Sequence, residues 1–316
     1  MRFPPPEARI VTPPAVPFAH QPVLAAEIAE RARGARRVVD ATLGGGGHAS
    51  LFWAAGAAVL GIDRDPRAIA AARARLGEEG ITYLEAPYAS DAALEAIGRF
   101  APDVILLDLG VSSPQLDDEA RGFTFRPGAP LDMRMGDDAA TAADLLNTAD
   151  AEELRRIFRE YGDERQAGRL AREIVRRRGT APFATSDELV NAIRAVLGPR
   201  SGPPDFARLF QAVRIAVNDE LGGLARALPA MRDALVPGGR IAVISYHSGE
   251  DRIVKHSFQE WARTCVCPVE QPVCTCRGRP LGRLEPRKPV YPSDAEAQHN
   301  PRARSATLRT FRTIEV

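Results

Sequence analysis

Four consecutive glycines, Gly44 to Gly47, stand between the apolar run Val38-Val39-Asp40 and His48, with an apolar stretch after them. A loop stripped of side chains lets backbone N–H groups close on a ligand where any Cβ would collide. The spacing fits the dinucleotide pattern G-x-G-x-x-G poorly. It does fit strand-Asp-x-x-x-Gly-x-Gly over Asp40 to Gly46, the shape of an S-adenosylmethionine loop, with the helix after it turning its N-terminal dipole toward the methionine carboxylate. Asp63 ends the next apolar run about twenty positions on, where a carboxylate grips a ribose diol. That diol is common to S-adenosylmethionine and NAD, so Asp63 does not separate them. Asp65 is claimed as a helix cap by the following Pro66, and Tyr88 offers a ring to an adenine or to simple packing.

A second cluster follows the run Asp103-Val-Ile-Leu-Leu-Asp108. Loops at the carboxyl ends of parallel strands line the ligand crevice, and here a turn leads through Ser112 and Ser113 to Pro114 and Gln115. The stretch can be set against the Asp/Asn/Ser-Pro-Pro-aromatic motif of amino-directed methyltransferases. Asp108 keeps the acid and Ser113-Pro114 keeps the Ser-Pro, while the second proline and the aromatic are missing. The exocyclic amine of cytosine is a poor nucleophile because its lone pair is delocalised. Acceptors aimed at its hydrogens return density to nitrogen, and one can take the released proton. Asp108 and the turn carrying Ser113 are the candidates, with cofactor contact the leading role for Asp108.

The elements that must position these groups are legible as short apolar runs at 38–40, 58–63, 81–85 and 103–108, alternating with Ala-rich helical stretches at 49–55, 66–76 and 91–100. That is the β-α-β-α order of a doubly wound sheet. From about Leu116 to Asp205 helical patterns dominate, then one long helix is expected over 209–235, and "RIAVISYHS" resumes the sheet. The expected organisation is a Pro-rich, poorly ordered leader at 1–19, a first part of an α/β domain at 20–116, an all-helical insertion at 117–205, and a second part with a basic tail at 206–316. The 316 residues are 45% hydrophobic with a formal net charge of +1, which excludes a protein drawn to polyanions by bulk charge and directs attention to local patches. No run is long enough to span a membrane and no signal peptide is visible, so a cytoplasmic protein without a membrane partner is expected.

Seven separated stretches, "HQPVL", "DATLGGGGHA", "GIDRDPRAI", "LLDLGVSSPQLDDEARGFTFRPGAPLDMRM", "LFQAVRIAVNDEL", "ISYHSGEDRIVKHSF" and "NPRARSATLR", occur in an order that resembles the bacterial ribosomal RNA small subunit methyltransferase H family, also called MraW. The resemblance runs from about His20 to Arg309. It implies a class I, Rossmann-like α/β methyltransferase domain with a helical insertion, S-adenosylmethionine as donor, and N4-methylation of a cytidine in the decoding region of 16S rRNA of the small subunit. No metal in the active site and no obligate protein partner are implied. Carried over position by position, the cofactor contacts are Gly46, Gly47, His48, Asp63, Tyr88, Asp108 and Gln115, with Gly44 and Gly45 shaping the turn. An amino-directed DNA methyltransferase and an RNA-binding assembly factor with a vestigial pocket are the rival readings.

RNA surfaces are sought in local charge. Arg165, Arg169, Arg172 and Arg176 recur at helical spacing, a solvated face or a phosphate-facing stripe. Residues 277–312 carry nine Lys/Arg against Glu285, Asp294 and Glu296, which marks the tail with Arg302 and Arg304 for backbone contacts. Arg121, Phe123, Phe125 and Arg134 mix cations with aromatics, suited to a flipped base or to pinning the insertion on the sheet. Tyr246 and His247 follow the last apolar run on the crevice side, where His247 is a substrate contact or a structural histidine. Cys265-x-Cys267 and Cys274-x-Cys276 hold all four thiols; zinc is one reading, although C-x-C is tighter than the usual knuckle, and disulfides are disfavoured in a reducing compartment.

Overall fold

The computed structural model describes residues 22–137, 139–268, 270–271 and 273–315, and for Ser113 and Pro114 the backbone alone. The leader expected at 1–19 lies outside the described residues.

Seven strands form one sheet: β1 (Arg37–Asp40), β2 (Ala58–Asp63), β3 (Ile81–Glu85), β4 (Val104–Asp108), β5 (Arg240–Ser245), β6 (Gly282–Leu284) and β7 (Thr307–Thr313). Their order is β3-β2-β1-β4-β5-β7-β6. The first five are parallel, with Asp40 level with Gly61 on one side and Leu106 on the other. Strand β7 runs antiparallel to β5, and β6 antiparallel to β7. The strands are apolar on both faces because helices cover both. Val38, Val59, Val104 and Leu106 enter one core with the helices at 25–31 and 47–54, while Val39, Leu60, Ile105 and Leu107 enter the other with those at 91–100, 220–234 and 248–261. This is the Rossmann-like arrangement expected of a class I methyltransferase, and chain order reverses direction between β1 and β4, where such sheets bind ligands.

Local signals explain the helix starts. Asp65 caps the helix Pro66–Leu76 through Oδ1, which accepts the Arg67 N–H at 3.0 Å, and Thr185 with Glu188 closes a capping box at the helix Ser186–Leu197. The long helix expected over 209–235 is instead two, Pro203–Asn218 and Glu220–Ala234. Asp219 between them is left-handed at φ +49°. The Asn218 side chain holds the break in place: its Oδ1 accepts the Met135 N–H at 2.9 Å, and its Nδ2 donates to the Met133 carbonyl at 2.7 Å. The first of these helices packs with the insertion. Phe206, Leu209, Phe210 and Val213 share a core with Leu146, Phe158, Leu170 and Ile193, so that core reaches past residue 205.

The basic tail also differs from expectation. Residues 307–313 are a buried strand, with Leu308 and Phe311 inside the cores. Arg309 pairs with Asp251 at 2.7 Å and Arg312 with Glu285 and Glu315, so these charges serve the fold. No helix among the described residues is long and apolar enough to cross a membrane.

Candidate active site

The acids that end β2 and β4, Asp63 and Asp108, border one cavity of about 1650 Å³, which the loops after β1 and β3 also line. Its floor is the loop after β1. Gly44 and Gly46 are both left-handed, at φ +50° and +75°, so the chain reverses twice in three residues. The Gly44 N–H donates to Asp63 Oδ2 at 2.8 Å, which locks the loop to the end of β2. The helix Gly47–Ala54 then starts with no side-chain cap, leaving its first-turn N–H groups to the cavity. The glycines divide differently from the expectation. Gly44, Gly45 and Gly47 border the cavity, whereas Gly46 faces Leu76, whose Cδ1 would lie 2.8 Å from an added Cβ.

Asp63 receives a second N–H, from Asp65 at 2.9 Å on Oδ1, and its carboxylate borders the cavity in a fixed orientation. Burial raises its pKa against the opposing pull of these two N–H groups. Tyr88 lies on the loop after β3 and lines the same space; burial raises its phenol above the ordinary value. Gln115 is buried beside them. Its Oε1 accepts the Ser112 N–H at 2.9 Å and its Nε2 donates to Asp65 Oδ2 at 3.2 Å, so it fixes the loop after β4 against the end of β2.

Asp108 occupies the centre. Its N–H donates to Thr42 Oγ1 at 2.6 Å, and its Oδ1 accepts the Tyr246 hydroxyl at 2.8 Å. The other oxygen, Oδ2, stands 3.5 Å from His48 Nε2. His48 is only 5% exposed, and neither ring nitrogen has a hydrogen-bond partner among the described residues. Burial disfavours its imidazolium, but the Asp108 and Asp40 carboxylates outweigh that and raise its pKa. Burial pushes Asp40 the same way, up to about 6, against the favourable His48 charge. Tyr246 is raised by burial and by the Asp108 charge, so it stays a hydroxyl donor. Across the cavity the bidentate pair Arg214–Glu220, at 2.8 and 2.9 Å, brings the insertion and the helix after it to the wall.

Several expected substrate contacts serve structure instead. Arg121 is largely shielded, its side chain 11% exposed: its Nη1 donates to Asp65 Oδ2 at 2.7 Å, and its Nη2 to the Arg134 and Met135 carbonyls. Its guanidinium lies 5.9 Å from the Phe123 ring centre. Phe125 packs edge-on against Phe206 and Phe210, so both aromatics pin the insertion. Arg134 grips Asp132 with two nitrogens. His247 caps the helix Ser248–Trp261, its Nδ1 accepting the Gly249 N–H at 3.2 Å, and it is Tyr246 that enters the cavity. Arg302 borders the cavity and pairs with Asp117 at 2.8 Å, and Arg304 is exposed. The Ser113 side chain lies outside the described ones. Sequence reasoning used Asp40 only as the start of the loop pattern and passed over Thr42 and Glu250. Glu250, buried and accepting the Tyr246 N–H at 2.8 Å, had a signal in "YHSGED", an acid one turn after the strand-end aromatic.

The family model described as MraW methylase family matches residues 17–314. A protein of Gemmatimonas aurantiaca called ribosomal RNA small subunit methyltransferase H is 62% identical over 301 residues, covering 93% of this chain and 95% of that relative. Proteins of the same name from Heliobacterium modesticaldum and Anaeromyxobacter dehalogenans are each 47% identical; the alignments cover 94% of this chain and 99% and 98% of theirs.

Proposed function

The chain belongs to the MraW methylase family, and from that premise we propose that it transfers a methyl group to the exocyclic N4 of a cytidine in the decoding region of 16S rRNA, within the small ribosomal subunit. S-adenosylmethionine is the methyl donor. The site fits it: the uncapped helix start and His48 Nδ1, buried without a hydrogen-bond partner among the described residues, suit the carboxylate end, Asp63 the ribose diol, and Tyr88 the adenine. An added Cβ at Gly44 or Gly45 would meet only open space, the room a ligand needs against backbone. When bound, S-adenosylmethionine supplies an electrophilic methyl on a sulfonium.

The observation that carries the reading is the anchored Asp108. With Oδ1 committed to Tyr246 and the backbone N–H tied to Thr42, its carboxylate cannot swing. Oδ2 is then the acceptor for one amine hydrogen, and it withdraws that hydrogen as nitrogen becomes nucleophilic. Carbonyls of the turn through Ser113 supply the second acceptor, and Gln115 fixes the start of that turn. Beyond this the chain aligns the amine for in-line displacement, a matter of geometry. The exposed stripe of Arg165, Arg169 and Arg172, together with exposed Arg304, binds rRNA phosphates and orients the subunit without choosing a base, whereas Arg176 and Arg302 are held by Glu173 and Asp117.

The test is incubation of small subunits from cells lacking this protein with labelled S-adenosylmethionine, followed by nucleoside analysis and mapping. Label in N4-methylcytidine of 16S rRNA is expected. Label on another atom or base would overturn the proposed specificity, and no label with folded protein would overturn the substrate.

A further inference from the structure

The segment between the helix Ser248–Trp261 and β6 contains all four cysteines of the chain, and none takes part in the site above. Their four Sγ atoms lie within 4.8 Å of one another. Cys274 is 3.5 Å from Cys276, 3.6 Å from Cys265 and 3.9 Å from Cys267, and Cys276 is 3.8 Å from Cys265. A tetrahedral zinc with sulfur at about 2.3 Å separates its ligands by about 3.8 Å along each edge. Disulfides would draw two pairs to about 2.05 Å and leave the pairs apart. Four sulfur pairs between 3.5 and 3.9 Å, with every pair within 4.8 Å, gather the thiols about one centre as a metal does.

We propose that Cys265, Cys267, Cys274 and Cys276 bind one structural zinc ion that closes the loop between this helix and the edge strand.

The surroundings suit the charge of such a centre. Four thiolates on a divalent cation form a dianion. Arg263, Arg277 and Arg279 stand in or beside the loop, and Val266 offers its N–H to Cys276 Sγ at 3.3 Å, the hydrogen bond a thiolate accepts. Arg277 ties the loop down independently, with Nη1 on Glu260 Oε1 at 2.7 Å and Nη2 on the Glu260 carbonyl. Two of the four cysteines are exposed and apolar contacts there are few, so the loop lacks a core of its own and a metal replaces one. The closed ligand set leaves no position for substrate, which makes the ion structural. The centre follows the end of the helix opposite to the one that presents Glu250 to the cavity.

The full chain, purified under reducing conditions without chelator, is assayed by elemental analysis; one zinc per chain is expected. Replacement of zinc by cobalt should give thiolate charge-transfer absorption and the visible bands of a tetrahedral site. Thiol reagent should label the cysteines slowly until chelator is added, and the Cys274→Ser variant should lose zinc at chelator concentrations the parent resists. Folded parent protein that stays free of zinc after reconstitution and shows no cobalt charge-transfer band would overturn the proposal. Recovery of the four cysteines as disulfides from reduced preparations would do the same. Because the parent protein carries the metal and cobalt readouts, a variant that fails to fold does not decide the matter.

Discussion

Replacing Arg121 separates two roles that its sequence context allows, an RNA contact and a structural clamp. In the structure Arg121 Nη1 meets Asp65 Oδ2 at 2.7 Å, with both side chains close to fully buried, and Nη2 serves the carbonyls of Arg134 and Met135. Removing one partner of a buried pair costs about 3–5 kcal/mol, because the other charge is left without compensation. Asp65 would keep the Arg67 N–H and the Gln115 amide, so Arg121→Met should fall near the lower end, at about 3 kcal/mol. Urea unfolding followed by tryptophan fluorescence reads this as a lower midpoint at unchanged slope. Asp65→Asn and the double variant complete a cycle whose coupling should exceed about 1 kcal/mol, as expected of residues in contact. A loss below about 1 kcal/mol with additive single effects would refute the clamp. If, in addition, methyl transfer to small subunits lost part of its salt dependence, Arg121 would be a phosphate contact.

Three further outcomes follow from the geometry. Gly46→Ala should cost about 1–2 kcal/mol of stability from its left-handed backbone alone, with the Leu76 contact added, and leave S-adenosylhomocysteine binding near normal. Gly44→Ala carries the same left-handed backbone cost, but its Cβ enters open space at the cavity, so it should also weaken that binding in calorimetry; normal binding by Gly44→Ala with weakened binding by Gly46→Ala would contradict the division of the glycines. Tyr246→Phe removes a hydrogen bond to a carboxylate worth about 1.5–3 kcal/mol, so single-turnover methyl transfer should slow by about 10- to 100-fold at unchanged cofactor affinity; equal rates would sink the anchoring role. Asp40 has its pKa raised from 3.8 to about 6, so its share of stability is full below the unfolded value and lost as pH rises through about 6. Asp40→Asn should therefore gain on the parent by up to about 3 kcal/mol between pH 4 and 8, read from urea midpoints, and a constant difference across that range would refute the shift.

What the sequence made legible was charge and apolarity along the chain; what it hid was pairing across it. Strands β1, β2 and β4 are apolar runs closed by Asp40, Asp63 and Asp108, and Asp63 and Asp108 border one cavity because parallel strands present their carboxyl ends together. The helix Pro66–Leu76 was readable to the residue because its cap, Asp65, and its Pro66 are adjacent signals. Strand β7 was not, because Arg309 and Arg312 read as a basic tail until Asp251, 58 positions back, and Glu285 are brought beside them. The same holds for Arg121 and Asp65, 56 positions apart. Long-range ion pairs turn an arginine from a candidate RNA contact into a fixture of the fold, and composition carries no trace of them. The glycine loop fails for another reason: four identical residues conceal where the chain turns, and only the fold shows that Gly46 packs against Leu76 while its neighbours border the cavity. Among the arginines whose sequence context marks them for RNA, Arg165, Arg169 and Arg172 on the insertion and Arg304 on the sheet domain are exposed and form no ion pair among the described residues, which leaves their charges available to a phosphate backbone.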